Sequence, residues 1–161
     1  MSEENANNQE NLPVFRMQKM YLKDMSFENP NAPEVFIKQI PNPKVNINLE
    51  VRNRKLDDEN WEVSLVINVT IKNEEEDKTM FIIELEHAGI FLLRNIPQEH
   101  MAMVLGVDCP ALLFPFTRQI MSQVSVDGGF VPFLMDPVNF MALFENARQK
   151  SEEEAKNKAD A

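Results

Sequence analysis

Apolar and polar residues alternate along three stretches of the chain. Val45, Ile47, Leu49 and Val51 alternate with Asn46, Asn48, Glu50 and Arg52. Trp61, Val63, Leu65, Ile67, Val69 and Ile71 alternate with Glu62, Ser64, Asn68 and Thr70, and only Val66 is out of step. Phe81, Ile83 and Leu85 alternate with Ile82, Glu84 and Glu86. A period of two predicts three half-buried strands, each with one wet face. The linkers 54–60 and 73–78 are short and charged, so the strands form a meander of hairpins. An earlier strand over 14–28 alternates at its two ends. Phe15, Met17, Tyr21, Met25 and Phe27 fall on one side, with Arg16, Gln18, Asp24, Ser26 and Glu28 on the other, while Met20 and Leu22 interrupt the middle. The connection 29–44 carries Pro30, Pro33, Pro41 and Pro43, which forbid a central strand and predict an exposed crossover with room for one helical turn. A long connection ahead of three hairpin-linked strands is what a Greek key needs.

The second half changes period. Pro97 opens a short helix through Leu105, and Gly106 closes it. Asp108-Cys109-Pro110 marks a new start, and 111–126 carries Leu112, Leu113, Phe114, Phe116, Ile120, Met121 and Val124, with Pro115 early enough to bend the helix without breaking it. Gly128-Gly129 ends that helix, and Asp136-Pro137 caps a last one through Phe140, Leu143 and Phe144. Strands first and helices afterwards predict an α+β fold: a four-stranded antiparallel Greek-key sheet with a long helix and a C-terminal helix on one face. Residues 1–12 read as a disordered tail, 13–149 as the folded domain, and 150–161 as a flexible, charged tail.

The composition narrows the function. At 161 residues and 43 % hydrophobic content the chain is one domain with a real core. Its 26 acidic against 16 basic residues give a net charge of −10, which argues against nucleic acid and anionic membrane surfaces. A single Cys excludes an internal disulfide and a Cys-based zinc cluster. No apolar run approaches the roughly 20 residues of a membrane span, and the polar N-terminus lacks the charged start and apolar core of a signal peptide, so the expectation is a cytoplasmic protein. Ten Met and eleven Phe stand beside one Trp and one Tyr, a hint of an adaptable binding surface. The four glycines supply no phosphate-binding loop, and no nucleophile elbow or metalloprotease motif is present. His87 and His100 read as structural or surface residues and Cys109 as a small buried one, so neither an enzyme, a metal nor a cofactor is expected. Two features resist a bland reading. Ile82 sits between acids on the wet face of its strand, and the helix over 111–126 is apolar around more of its circumference than one sheet can cover.

A resemblance then attaches to particular residues. Tyr21-Leu22-Lys23-Asp24-Met25-Ser26-Phe27-Glu28 followed by Asn29-Pro30-Asn31-Ala32-Pro33 and Val35-Phe36 resembles the opening of SecB, the bacterial protein-export chaperone family. Gly89-Ile90-Phe91, Cys109-Pro110 with Leu113-Phe114-Pro115-Phe116, and Pro137-Val138-Asn139-Phe140 with Ala142-Leu143-Phe144 resemble its later landmarks in order. The resemblance implies an ATP-independent holdase that keeps secretory precursors unfolded and delivers them to the SecA motor, assembled as a dimer of dimers. It implies SecA contacts at Asp24, Glu28, Ile82 and Glu84, and a Greek key adds Glu86 beside them. A client groove is expected at Phe114, Met121, Phe130 and Phe133, and a tetramer interface at Phe116 and Ile120. Two departures stand out: Ile40-Pro41 replaces a Trp common in relatives, and the tail mixes Glu152, Glu153 and Glu154 with Lys156 and Lys158. The alternative is an acidic α+β module that binds one small apolar ligand without chaperone activity.

Overall fold

A computed structural model of the chain describes residues 9–38 and 42–160, so Ile40-Pro41 lies outside the described residues. Strands β1 (Val14–Glu28), β2 (Lys44–Lys55), β3 (Asn60–Asn73) and β4 (Lys78–Arg94) form one antiparallel sheet in the order β1-β4-β3-β2. The meander is present, and the first strand closes on the last as a Greek key requires. The proline-rich crossover contains one 3₁₀ turn, Glu34–Phe36. Ile47 pairs with Val69, Ile67 with Leu85, and Ile83 with Phe27, so the apolar rows of all four strands share one face.

β1 departs from its expected sides, for a local reason. Its pairing with β4 shifts between Met17 and Lys19 and again between Leu22 and Asp24. Each bulge inserts one residue and reverses the facing of everything beyond it. Met20 and Leu22, which interrupt the sequence pattern, are thereby returned to the apolar face with Phe15, Met17, Met25 and Phe27. Tyr21 moves the other way. It lies opposite Ala88 on the polar face, not beside Phe15 and Met17, and its hydroxyl donates to Glu62.

From Gln98 to Asp127 the chain is helical without a break: α1 (Gln98–Met103), a π turn (Val104–Asp108) and α2 (Cys109–Asp127). The expected stop at Gly106 and new start at Asp108 do not occur. Gly106 sits inside the wide turn with the Phe144 ring against it; a Cβ there would stand 2.8 Å from Phe144 Cδ2. Asp108 is itself helical, with φ −69, and its side chain caps nothing. This run of 30 residues is long and apolar enough, by length and composition alone, to cross a membrane, which corrects the expectation that no stretch approaches that size. Here its seam of Cys109, Leu113, Thr117, Met121 and Ser125, one residue every four, is buried at 0 % exposure in one core with Val63, Leu65, Ile67 and Ile83.

α2 ends as expected, at Gly128, and Gly129 takes the left-handed φ of +93 that glycine tolerates. The last helix, α3 (Phe140–Ala159), starts later than the Asp136-Pro137 signal. Asn139 is its N-cap, with Oδ1 accepting the Ala142 N–H at 3.0 Å. The preceding loop is tied to α2 where the Phe133 N–H donates to Ser125 Oγ at 2.8 Å. α3 stays helical to Ala159, past the tail boundary expected at 150, although every described residue from Glu145 onward is exposed.

Candidate functional site

The polar face of the sheet gathers the outward positions of four strands. Asp24 lies opposite Glu86, Ser26 opposite Glu84, and Glu28 opposite Ile82. Asp24, Glu28, Ile82, Glu84 and Glu86 are therefore neighbours on one face, as their spacing predicts. Like charges directly across a strand pair are destabilising. Even so, among the described residues the side chains of Asp24, Glu28 and Glu84 have neither a hydrogen bond nor an ion pair. Glu86 accepts a hydrogen bond from Ser64 Oγ at 2.9 Å. Acids elsewhere on the sheet and its hairpins find cations: Glu50 pairs with Arg52 at 3.0 Å, Glu59 with Arg94 at 2.8 Å and Glu76 with Lys38 at 2.9 Å. Each of those hydrogen bonds holds its carboxyl below the usual range. Half-buried Ile82 thus sits between the unpaired carboxylates of Glu28 and Glu84, with Asp24 further along β1.

The same face holds a cluster that sequence reasoning missed. Glu62, 8 % exposed, accepts from the Tyr21 hydroxyl and from Lys23 Nζ at 2.9 Å, with Arg54 Nη2 at 3.6 Å. The Tyr21 bond, more than either cation, holds the Glu62 carboxyl below its ordinary range. Burial first, and then Glu62, push the Tyr21 hydroxyl up to about 12. Lys23 is the residue that the second bulge inserts, so this cluster pins the irregularity that places Asp24 and Glu28 on the polar face. The broken alternation at Met20 and Leu22 is the signal that could have found it.

The helix face carries three apolar features, an aromatic cluster and two recesses. Phe130 and Phe133 are half-buried in an aromatic cluster, with Phe130 5.1 Å from Phe36 and 4.7 Å from Phe81 between ring centroids. Ile37 and Leu134 beside it are 81 % and 67 % exposed. Phe114 and Met121, expected in this groove, are core residues instead, at 7 % and 0 % exposure. Phe114 packs edge-on against Phe140 with centroids 5.7 Å apart. A second groove, of about 410 Å³, runs between β1 and α2 along Met20, Leu22, Met25, Phe116, Ile120 and Val124. Phe116, 44 % exposed, marks the side of α2 that this chain leaves uncovered. A third cleft, of about 850 Å³, separates β2 from α1 and α3 and is lined by Leu49, Val51, Met101, Leu105, Leu143 and Phe144.

His87 lies at the floor of the second groove, 2 % exposed. Thr117 Oγ1 donates to the Leu113 carbonyl at 3.0 Å, so its contact with His87 Nδ1 at 2.7 Å assigns the proton to Nδ1. Burial pushes His87 below its ordinary pKa. Burial likewise pushes the Cys109 thiol up to about 12, which leaves it uncharged. His100 is on the surface, and among the described residues no group of three or more His, Cys, Asp or Glu side chains could hold a metal ion.

Open apolar recesses on one face and an unpaired acidic patch on the other are surfaces suited to binding other proteins, and the relatives make the class an export chaperone. The chain belongs to the SecB family, whose model, described as preprotein translocase subunit SecB, matches residues 8–151. Protein-export protein SecB of Desulfotalea psychrophila is 63 % identical over 145 residues, covering 90 % of this chain and 93 % of its own length. The protein of the same name from Magnetococcus marinus is 43 % identical over 159 residues, covering 99 % and 100 %. A SecB-like chaperone of Mycobacterium tuberculosis shares the fold, with a TM-score of 0.64 at 12 % identity over 78 % of this chain and 91 % of that one. Family membership does not favour the single-ligand module.

Proposed function

We propose that this SecB-family export chaperone is an ATP-independent holdase that keeps secretory precursors unfolded in the cytoplasm and hands them to the SecA motor. One observation carries the division of labour: Glu28 and Glu84 flank Ile82 and Asp24 lies further along the same face, their carboxylates without partners, on the face opposite the apolar recesses. Acids at the rim steer and orient a basic docking element, while Ile82 supplies contact area that can be desolvated. Clients bind the helix face, where Phe130 and Phe133 edge an aromatic cluster and apolar surface is rewarded whatever its sequence. Four copies assemble as a dimer of dimers through the uncovered side of α2 at Phe116 and Ile120.

The test separates the two faces. The protein should arrest refolding of a slow-folding precursor without nucleotide. Asp24→Lys with Glu84→Lys should abolish most SecA binding and leave that arrest intact, because exposed changes usually move stability by about 0.5 kcal/mol or less. Unchanged SecA affinity in the double variant would defeat the docking assignment, and unimpeded refolding at excess protein would defeat the holdase.

A further inference from the structure

Three cations border the acidic patch, and none of them is paired with it. Across the sheet, Asp24, Glu86, Val66 and Glu50 stand in one row, and Tyr21, Ala88, Ser64 and Arg52 in the next. Lys23 is inserted between those rows, immediately before Asp24 in the chain, and a recess of about 340 Å³ brings Lys23, Arg52 and Arg54 together with Glu86. Cations this close would ordinarily be drawn to the patch and cancel it. Each is held elsewhere instead. Lys23 Nζ donates to Glu62 Oε1 at 2.9 Å, and Arg54 Nη2 stands 3.6 Å from the same oxygen. Arg52 donates to both oxygens of Glu50, at 3.0 and 3.1 Å. The Tyr21 hydroxyl takes the other oxygen of Glu62. That hydrogen bond, more than either cation, holds the carboxyl below its ordinary range, so Glu62 stays charged at neutral pH.

We propose that Glu62 and Glu50 are positioning residues for the docking face: they hold Lys23, Arg54 and Arg52 off the acidic patch, which leaves its carboxylates free for a basic partner. This rests on the SecA-docking reading and adds two acids that act on docking only through the cations they hold. The competing account is that Glu62 matters only because it pins the second bulge. Against it, β1 beyond the bulge has a separate anchor: the Phe27 ring stacks on Phe81 with centroids 5.7 Å apart and lies against Gly128. Without the Glu62 charge, the Lys23 ammonium swings on its flexible stem to Asp24 or Glu86, and an incoming partner must displace it. Such an exposed pair adds little to stability, but it removes one of the acids that steer and orient the partner. The same holds for Arg52 once Glu50 is neutral.

The experiment measures SecA affinity of the full chain at low ionic strength, where exposed charges are least screened. Glu62→Gln keeps the shape of the side chain and an acceptor for Tyr21; it should weaken binding about fivefold, the size of one exposed charge pair. Adding Lys23→Met should bring affinity back to within about twofold of the unaltered protein, because the released cation is gone. A role confined to the bulge gives no such rescue. Unchanged affinity in Glu62→Gln, or a loss that Lys23→Met fails to restore, would overturn the proposal. Thermal unfolding checks that Glu62→Gln folds; where it does not, Glu50→Gln with and without Arg52→Gln decides by the same criteria at an exposed site. Asp24→Lys with Glu84→Lys, measured alongside, keeps the two readings apart. If that double variant weakens binding and the Glu62 series does not behave as stated, only the positioning role falls. If it binds SecA like the unaltered protein, the docking reading falls and takes the positioning role with it.

Discussion

Lowering the pH from about 7.5 to about 5.5 should destabilise the protein through His87, and His87→Gln should remove that part of the dependence. The imidazole is 2 % exposed, its Nδ1–H is committed to Thr117, and the groove above it is lined by Met20, Leu22, Met25, Phe116, Gln119, Ile120, Gln123 and Val124, none of them charged. A second proton would be unpaired there, so burial holds the folded pKa below the unfolded value of about 6.5. The sign follows. Above 6.5 neither state is protonated and nothing is lost; as the pH falls through 6.5 the unfolded chain takes up a proton that the folded chain refuses. Stability then declines by at most about 1.4 kcal/mol per pH unit, for a total of about 1.4 kcal/mol over this range if the folded site takes up no proton at all. For a chain of this size that lowers Tm by about 3–5 °C. The carboxylates held low by their partners, Glu50, Glu59, Glu62 and Glu76, contribute above their unfolded values of about 4.5 and lose that contribution only below this window. Thermal unfolding of both proteins, at one concentration because assembly also raises Tm, reads the difference. Gln keeps a donor for Thr117 and cannot take the proton. Equal pH-dependent losses in the two proteins would refute the assignment to His87.

Two other outcomes are expected. Because the chain has a single tyrosine, an absorbance titration reads Tyr21 alone: its midpoint, about 12, should move down toward 10 in Glu62→Gln without reaching it, since burial remains, and an unmoved midpoint would remove Glu62 as a cause. Phe116→Asp is tolerable on an isolated chain, where the position is 44 % exposed, but an interface would bury an unpaired charge at a cost of about 3–5 kcal/mol; light scattering should show a tetramer mass replaced by a smaller one, and a monomer in the unaltered protein would sink the assembly.

The sheet was legible because one residue type decided each position. Along β3 and β4 the apolar row is bounded by hairpins only a few residues long, so period two could be counted without error from Trp61 to Ile71. The helices were harder to read, because their buried row is not their most apolar one. α2 buries Thr117 and Ser125 together with Leu113 and Met121, the two hydroxyls donating to the carbonyls of Leu113 and Ser122 at 3.0 Å and 2.7 Å. With those bonds made, a hydroxyl is cheap to bury, and a hydrophobic count then favours the wrong side of the helix. Neither Phe114, which packs on Phe140, nor Met121, which belongs to that buried row, could be placed from the count alone. Gly106 misled for a related reason: what it provides is room for Phe144, a partner far away in sequence, and not a helix stop.

The polar-face patch was half legible. The even spacing of Ile82, Glu84 and Glu86 puts them together on β4, and Asp24 and Glu28 are likewise an even number apart. Whether those two pairs meet depends on β1 crossing two bulges and returning to phase; the broken alternation at Met20 and Leu22 hints at the bulges, but nothing local names the partner that holds the second, Glu62, 38 residues beyond Asp24 by the numbering. The same alternation has a consequence for function. Phe81, Ile83 and Leu85 stand in the core beneath the apolar recesses, while Ile82 and Glu84, their immediate neighbours, face the opposite side. One strand therefore contributes to both faces with no layer between them. Changes at even positions of β4 act on the acidic patch, and changes at odd positions act on the core and the client face. The strand's own pleat separates the two roles.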